Sequence, residues 1–327
     1  MKNRWAPVVV CVLALVCVAP AWRSQAAAGS ESPAAKPQLV IIDTDIGDDI
    51  DDAFALGLAL SSHELKILGV TTTFGNTELR ARLVDRYLDA VGRSDIPVFA
   101  GPMTKTDNVM TQAAYARRAP ARKFADGAKF IDDQARQYPG QITLIGIGPL
   151  FTIQAAIEKD PASFKKLKRV VIMGGSIYRG YGLDAHGKPK PPEPEWNILN
   201  DPAGLKALLA SGVPVFIMPL DSTQVPLDAK GREAIFAHGS PLTDQLALLY
   251  HQWMAGAPSH SPTPTLFDPV AVTYTFRPDL CPVRSMHIDV NEKGLTTPGA
   301  GAPNAQVCLS SDEQGFLHLL IGRLTAN

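Results

Sequence analysis

Apolar residues follow two alternating patterns along the chain: short, nearly continuous runs, and longer stretches in which they recur at helical spacing. The short runs are rich in Val and Ile, which is typical of strands buried on both faces of a sheet. These runs predict six strands, at residues 38–42, 67–73, 98–100, 142–147, 169–173 and 213–218.

The helical stretches lie between these runs and after the last of them. They predict helices at residues 50–61, 77–91, 127–137, 150–158, 201–211, 241–256, 269–276 and 313–324. Asp201 followed by Pro202 fits a helix N-cap with proline at the first helical position. Strands alternating with helices predict one α/β domain with an open, mostly parallel, doubly wound sheet. Residues 285–290 and 305–309 predict a small peripheral hairpin.

The N-terminus has a different pattern, that of a secretory signal peptide. Lys2 and Arg4 precede an apolar stretch at residues 7–21, and small residues then offer a cleavage site. The stretch is too short for a membrane span, which needs roughly 20 apolar residues. We therefore expect a signal peptide at residues 1–28, a flexible leader at 29–37 and a catalytic domain at 38–327. Export to a bacterial periplasm or exterior follows, with no membrane association after cleavage.

Composition adds two restrictions. Hydrophobic residues make up 46% of the 327, which is typical of a folded domain with a large core and excludes a disordered chain. Removing residues 1–28 leaves 28 basic against 32 acidic residues and lowers the formal charge from −1 to −4. Nucleic acid is not an expected partner, because binding it usually needs a basic face. Cys281 and Cys308 remain, either as a disulfide or as two separate buried thiols.

Six carboxylates lie within ten residues, directly after the first predicted strand. They belong to Asp43, Asp45, Asp48, Asp49, Asp51 and Asp52. Packed at one strand end, they would repel one another unless a cation neutralised them. Carboxylate oxygens suit Ca²⁺ or Mg²⁺, and Gly47 would let the turn bring carboxylates from both sides together.

Other interpretations of the acidic segment fit less well. A solvated acidic surface would not continue an apolar strand and lead into the apolar helix that begins near Ala53. An EF-hand would need Gly at Asp48 and Glu at Phe54. A phosphatase of the haloacid dehalogenase type would have Thr or Val in place of Gly47.

The segment 41–56 (IIDTDIGDDIDDAFAL) resembles the signature of the inosine–uridine preferring nucleoside hydrolases, with two extra residues between the glycine and Asp-Asp-Ala. Six further short matches follow in the family's order: TTTFGN at 71–76, GIGPL at 146–150, MGG at 173–175, EWN at 195–197, PLDST at 219–223 and FDP at 267–269. Each is weak alone, but their order along most of the chain makes the resemblance specific.

The resemblance implies an open α/β enzyme that hydrolyses the N-glycosidic bond of ribonucleosides to free base and ribose, with a bound Ca²⁺. It implies that Asp45 is both a calcium ligand and the general base on the attacking water. The other implied ligands are Asp52, Asp268 and the backbone carbonyl of Ile147. The implied substrate-binding residues are Asp51, Asn76, Glu195, Trp196 and Asn197. Asp43 would orient the cluster from behind.

The sequence departs from the family at the leaving-group side. Phe267 stands where some members have a histidine that protonates the base. The acid could instead be Tyr178, Tyr181, His186, His260 or an arginine of 117–122, or the base could stack on Trp196 or Trp253. The loop at 175–194 also lacks an asparagine that contacts the ribose in the family.

These departures leave two alternatives to a nucleoside hydrolase that serves purine or pyrimidine scavenging. One is a secreted calcium- and sugar-binding protein without turnover. The other is a hydrolase of a different ribosyl compound. The family usually forms homodimers or homotetramers, and the sequence does not indicate which base is preferred.

Overall fold

Residues 1–8, 36–256 and 261–326 are described by a computed structural model. The chain divides into two compact units, residues 1–35 and 36–327. The expected signal peptide and leader fall mostly within residues 9–35, which lie outside the described residues. His260 also lies outside the described residues. No helix in the described ranges is long and apolar enough to cross a membrane.

The second unit contains eleven strands within its described residues. They are β1 (Gln38–Thr44), β2 (Leu65–Thr72), β3 (Val98–Ala100), β4 (Ala125–Asp126), β5 (Ile142–Gly146), β6 (Arg169–Met173), β7 (Val215–Met218), β8 (Val283–Met286), β9 (Ile288–Val290), β10 (Thr296–Pro298) and β11 (Ala305–Cys308). Nine of them form one sheet in the order β4-β3-β2-β1-β5-β6-β7-β11-β8. All neighbours in this sheet are parallel except β11 and β8.

Thirteen α-helices of the described chain connect and cover the strands. They are α1 (Asp51–Leu60), α2 (Thr77–Ala90), α3 (Ala113–Arg117), α4 (Gly127–Gln137), α5 (Phe151–Lys159), α6 (Pro161–Phe164), α7 (Trp196–Asn200), α8 (Pro202–Ala210), α9 (Leu220–Thr223), α10 (Ala229–Phe236), α11 (Pro241–Gly256), α12 (Asp268–Phe276) and α13 (Glu313–Leu324). The predicted N-cap is confirmed: Asp201 accepts a hydrogen bond from the Gly204 amide at 2.8 Å.

The central strand β1 separates two apolar cores. Val40 and Ile42 pack into the core that α1, α2 and α12 cover, whereas Ile41 packs into the core that α4, α5 and α8 cover. All three side chains are fully buried. Burial on both faces explains the continuous apolar runs and confirms the predicted doubly wound α/β fold.

The predicted hairpin of residues 285–290 and 305–309 is confirmed in part. Strands β8 and β11 pair antiparallel at the edge of the main sheet, with Ser285 opposite Gln306. Strand β11 joins the main sheet between β7 and β8, and β9 pairs with β10 in a separate two-stranded sheet. The parallel partner of Val307 is Ile217, ninety residues earlier, so no local pattern could indicate the pairing. Cys281 and Cys308 form a disulfide with a Cα–Cα distance of 5.7 Å, which decides between the two alternatives for these cysteines.

Candidate active site

A cavity of about 450 Å³ opens at the carboxyl ends of the central strands. In an open α/β sheet this is where ligands bind. The cavity brings together eight residues that the sequence singled out: Asp45, Asp51, Asp52, Ile147, Glu195, Trp196, Asn197 and Asp268. The sheet therefore gathers side chains that are spread over more than 220 positions of the sequence.

Three buried carboxylates form the floor of this cavity. Asp51, Asp52 and Asp268 each present an oxygen, and these oxygens all lie within 4.8 Å of one another. Asp51 and Asp52 begin α1, and Asp268 begins α12. Each side chain is 4% exposed. Three carboxylates this close and this well buried form a candidate metal site.

The electrostatics of the cluster also favour a cation. Burial raises the pKa of Asp51, Asp52 and Asp268 well above the usual range, and the neighbouring carboxylates raise each pKa further. Without a cation, ionising three carboxylates this deeply buried is costly. The donor atoms are oxygens, which hard cations such as Ca²⁺ and Mg²⁺ prefer. The cluster could thus hold a divalent ion.

Asp45 lies in the same cavity, on the turn after β1. A side chain at Gly148 would place its Cβ 2.7 Å from the Asp45 Oδ1, so only glycine leaves room for this carboxylate. Burial raises the pKa of Asp45 to about 7, against the opposing effect of the Arg80 guanidinium. A carboxyl group with a pKa near neutrality is suited to accept a proton.

Two residues of β1 lie next to the cluster. Asp43 is fully buried and does not line the cavity; its Oδ1 accepts a hydrogen bond from the Thr71 hydroxyl at 2.6 Å. The Thr44 hydroxyl donates to Asp52 Oδ1, and this contact was not anticipated from the sequence. The threonine between two aspartates was the only signal for it.

Glu195 forms the opposite wall, where it caps the short helix α7. Its Oε1 accepts from the Asn197 amide at 2.9 Å, and its Oε2 accepts from the amides of Gly175 and Ile198 at 2.9 and 3.2 Å. Burial raises its pKa to about 7, and these backbone hydrogen bonds oppose the rise. The Asn197 side chain donates to the Met173 carbonyl at 3.1 Å. Both polar side chains are thereby fixed in orientation.

Aromatic rings line the outer part of the cavity. Trp196 is 40% exposed and packs edge-to-face against Phe74, with ring centroids 6.0 Å apart. Tyr181 packs edge-to-face against Phe267, also at 6.0 Å. The Tyr181 hydroxyl accepts from the Trp196 amide at 2.9 Å. The aromatic wall is thus tied to the segment that carries Glu195.

The candidate leaving-group acids are dispersed. Of those in the described ranges, Tyr181 lines the cavity, whereas Tyr178 is 57% exposed and Arg122 pairs with Asp85. His186 lies exposed in the loop before α7. Trp253, 4% exposed on α11, belongs to the core and is not available for stacking.

Asn76 lies outside the cavity. Its side-chain oxygen accepts from the Leu79 amide at 3.0 Å and so caps α2. It lines a neighbouring cavity of about 470 Å³ instead. A different asparagine, Asn108, reaches the active-site cavity from the loop at 101–112. Sequence reasoning missed it, because the length of this loop was the only indication of a role.

Comparisons with known proteins agree with this geometry. Residues 40–318 match the model of the family described as inosine-uridine preferring nucleoside hydrolase. The chain is 30% identical over 320 residues to the pyrimidine-specific ribonucleoside hydrolase RihA of Citrobacter koseri, covering 87% of this chain and 97% of the relative.

Solved structures give the same picture. The plant nucleoside hydrolase PpNRh1 superposes with a TM-score of 0.77 at 26% identity, covering 89% of this chain and 100% of that one. The purine-preferring ribonucleoside hydrolase from Gardnerella vaginalis superposes with a TM-score of 0.75 at 23% identity, covering 88% and 98%. The second likeness concerns the fold alone.

Proposed function

The chain belongs to the inosine-uridine preferring nucleoside hydrolase family and is an N-ribohydrolase, and we propose that it is an exported, calcium-dependent one. One observation carries the proposal. The carboxylates of Asp51, Asp52 and Asp268 converge in one buried cavity with Asp45, although they come from opposite ends of the domain.

Calcium fits the donor set. The carboxylates of Asp45, Asp52 and Asp268 and the carbonyl of Ile147 would hold the ion, and all of these donors are oxygens. Asp51, the third carboxylate of the buried cluster, accepts from the amides of Phe267 and Asp268 and would face the ribose instead. A bound calcium ion would hold two ribose hydroxyls and lower the pKa of water. Calcium is favoured over magnesium because it accepts an irregular oxygen shell, whereas magnesium demands a near-ideal octahedron.

The base in the reaction is Asp45. One of its carboxylate oxygens takes a proton from the attacking water. At the same time the water oxygen bonds to the anomeric carbon, and the bond from that carbon to the nucleobase nitrogen breaks. The sugar becomes positively charged in this transition state. The carboxylates of Glu195 and Asp51 are fixed by backbone amides, so they stabilise that charge without reorganising.

The leaving base meets the aromatic wall. Burial raises the pKa of the Tyr181 hydroxyl well above its usual value, and this group already accepts from the Trp196 amide. Such a hydroxyl keeps its proton, so Tyr181 orients the wall. The base stacks on Trp196, which faces the open side of the cavity, and takes its proton from solvent.

A nucleoside panel tests this function. Purified protein would be given inosine, adenosine, uridine, cytidine and 2′-deoxyinosine, and the release of reducing sugar would be measured. We expect turnover of at least one ribonucleoside and much weaker turnover of the deoxynucleoside, because the ribose hydroxyls are the groups that this site fixes. Equal turnover of inosine and 2′-deoxyinosine would contradict the assigned sugar site.

Export rests on the signal-like N-terminus and on the disulfide between Cys281 and Cys308, since disulfides form in oxidising compartments. Fractionation of the source cells with N-terminal sequencing tests it. We expect a periplasmic or secreted chain that begins near residue 29. A cytoplasmic chain with an intact N-terminus and two free thiols would contradict export. Light scattering would test whether the chain forms the homodimer or homotetramer that is usual in the family.

A further inference from the structure

A buried arginine stands directly behind the base-bearing turn. Arg80 lies one turn into α2, and its side chain is 3% exposed. Its guanidinium donates to the backbone carbonyls of Asp45 and Ile46, the second at 3.1 Å. Burying a charged group is expensive unless its donors are satisfied and a counter-charge is near. The burial of the Arg80 charge must therefore be offset by specific contacts.

The counter-charge is Asp48, which lies on the same turn after β1 as Asp45. Arg80 Nη2 donates to Asp48 Oδ2 at 2.7 Å, and both side chains are largely withdrawn from water. Asp48 belongs to the lengthened segment between Gly47 and Asp51 that distinguishes this version of the motif. The longer turn is thus held to α2 by the ion pair between Asp48 and Arg80.

The same guanidinium also reaches the aromatic wall. Arg80 Nε donates to the Phe74 carbonyl at 2.8 Å. Phe74 has a φ of 64°, in the left-handed region that non-glycine residues avoid, and its ring packs against Trp196. A backbone held in this region needs contacts that fix it. Arg80 supplies one of them.

A third connection runs to the rim of the cavity. Asp48 Oδ2, which Arg80 holds, also accepts from the Asn108 side-chain amide. Asn108 belongs to the rim loop, residues 101–112, and in this loop the Thr111 hydroxyl also donates to the Asp48 carbonyl at 2.7 Å. One planar, five-donor group therefore sets the relative positions of the base-bearing turn, the aromatic wall and the rim.

The geometry points to Arg80 as the positioning residue of this enzyme: it fixes the backbone that carries Asp45 and ties the rim loop to it through Asp48. This inference rests on the proposed function, since it concerns the residue that serves as base. Lysine has the charge but cannot make the fork of contacts to Asp45, Phe74 and Asp48 at once. Arg80→Lys therefore removes the geometry and keeps the charge.

The test compares Arg80→Lys with Arg86→Lys. Arg86 lies on the same helix and donates to the Tyr115 carbonyl at 2.8 Å, away from the cavity. For Arg80→Lys we expect kcat per folded chain to fall by about 10- to 100-fold, because a small misplacement of a catalytic group has effects of this size. KM should change much less, and Arg86→Lys should keep wild-type kcat.

A second readout does not depend on turnover. Hydrogen exchange in the calcium-free proteins should be faster in Arg80→Lys within residues 43–50 and 103–112, and unchanged within 83–90. If Arg80→Lys does not fold, Asp48→Asn, which removes the counter-charge at nearly constant volume, should show the same faster exchange.

Either of two results would overturn the inference: kcat within twofold of wild type with unchanged exchange in both segments, or faster exchange spread evenly over α2. A wild-type protein that releases no ribose would instead refute the proposed function, and the exchange comparison would still decide the role of Arg80.

Discussion

Asp51 Oδ2 accepts a hydrogen bond from the backbone amide of Asp268 at 3.2 Å, although the two residues are 217 positions apart. The same oxygen accepts from the Phe267 amide, also at 3.2 Å. The carboxylate of the first helix thereby caps the N-terminus of α12, so two halves of the ligand cluster are locked together by the fold. The cluster is preorganised in the protein, and the side chains of Asp45 and Asp268 can be changed singly without breaking this contact.

The first prediction concerns the base. Asp45→Asn keeps the shape of the side chain but cannot accept a proton, so we expect kcat to fall by about 10²- to 10⁴-fold. Calcium should still bind, with a dissociation constant raised by about 10-fold because one charged ligand is lost, and the melting temperature should stay close to that of wild type. The assay is ribose release together with calorimetric titration of calcium. Asp228→Asn, which changes a distant helix cap to another good cap, is the matched control. Wild-type turnover by Asp45→Asn would show that another group is the base.

The second prediction concerns the ion. Asp268→Asn removes one charged donor but retains the backbone amide that Asp51 accepts from. We expect the calcium dissociation constant to rise by at least about 10-fold, because even residues that only support a ligand have effects of 10- to 100-fold. Titration of the stripped protein measures it, and Asp312→Asn, at the cap of α13, is the control. An unchanged affinity would remove Asp268 from the ligand set.

The third prediction concerns pH. In the calcium-free protein, burial raises the pKa of Asp43 to about 8 and the pKa of Glu195 to about 7. The native state thus keeps protons that the unfolded chain has already released above about pH 4. The contribution of these two groups to the free energy of unfolding is therefore fully present below about pH 4 and falls by about 1.4 kcal/mol per pH unit for each retained proton, up to the folded pKa.

Thermal unfolding between pH 5 and 8 measures this dependence, with chelator and with saturating calcium. Calcium favours the ionised carboxylates, so the difference between the two melting temperatures should widen as pH rises. A difference that is constant or narrows over this range would contradict the assigned electrostatics.

The fourth prediction concerns the leaving group. If Tyr181 only orients the wall, Tyr181→Phe should lower kcat/KM for inosine and for p-nitrophenyl riboside by a similar factor, of order 10-fold or less. The nitrophenolate leaves without needing a proton, so kcat/KM for this substrate does not depend on an acid that protonates the leaving group. A large loss for inosine with no loss for p-nitrophenyl riboside would identify Tyr181 as the acid.

The parts of the fold that the sequence predicted are those encoded locally. Residues 98–100, 127–137 and 313–324 form the predicted elements with the predicted ends, because turn residues and caps stand beside them. Strand β11 does pair with the predicted segment, at β8, but its second partner, β7, was missed because β7 is remote in sequence. Sheet order at the periphery is a tertiary property that four-residue strands do not encode.

The site residues that the sequence predicted correctly are likewise those whose positions are encoded locally. Residues directly after a strand, such as Asp45 and Ile147, reach the cavity as the sequence indicated, because the sheet aligns strand ends. Asn76 does not reach it, since its side chain caps α2. Arg80 gave no signal in the sequence, because a helical arginine is normally solvated and only the long turn around Asp48 withdraws this one from water.

The most direct test of the account is ribose release from the preferred ribonucleoside by one preparation in three states: as purified, stripped of metal with chelator, and reloaded with calcium. We expect turnover to be lost on stripping and restored by calcium, and magnesium at equal concentration to restore much less. Full turnover by protein shown to contain no divalent metal would contradict it.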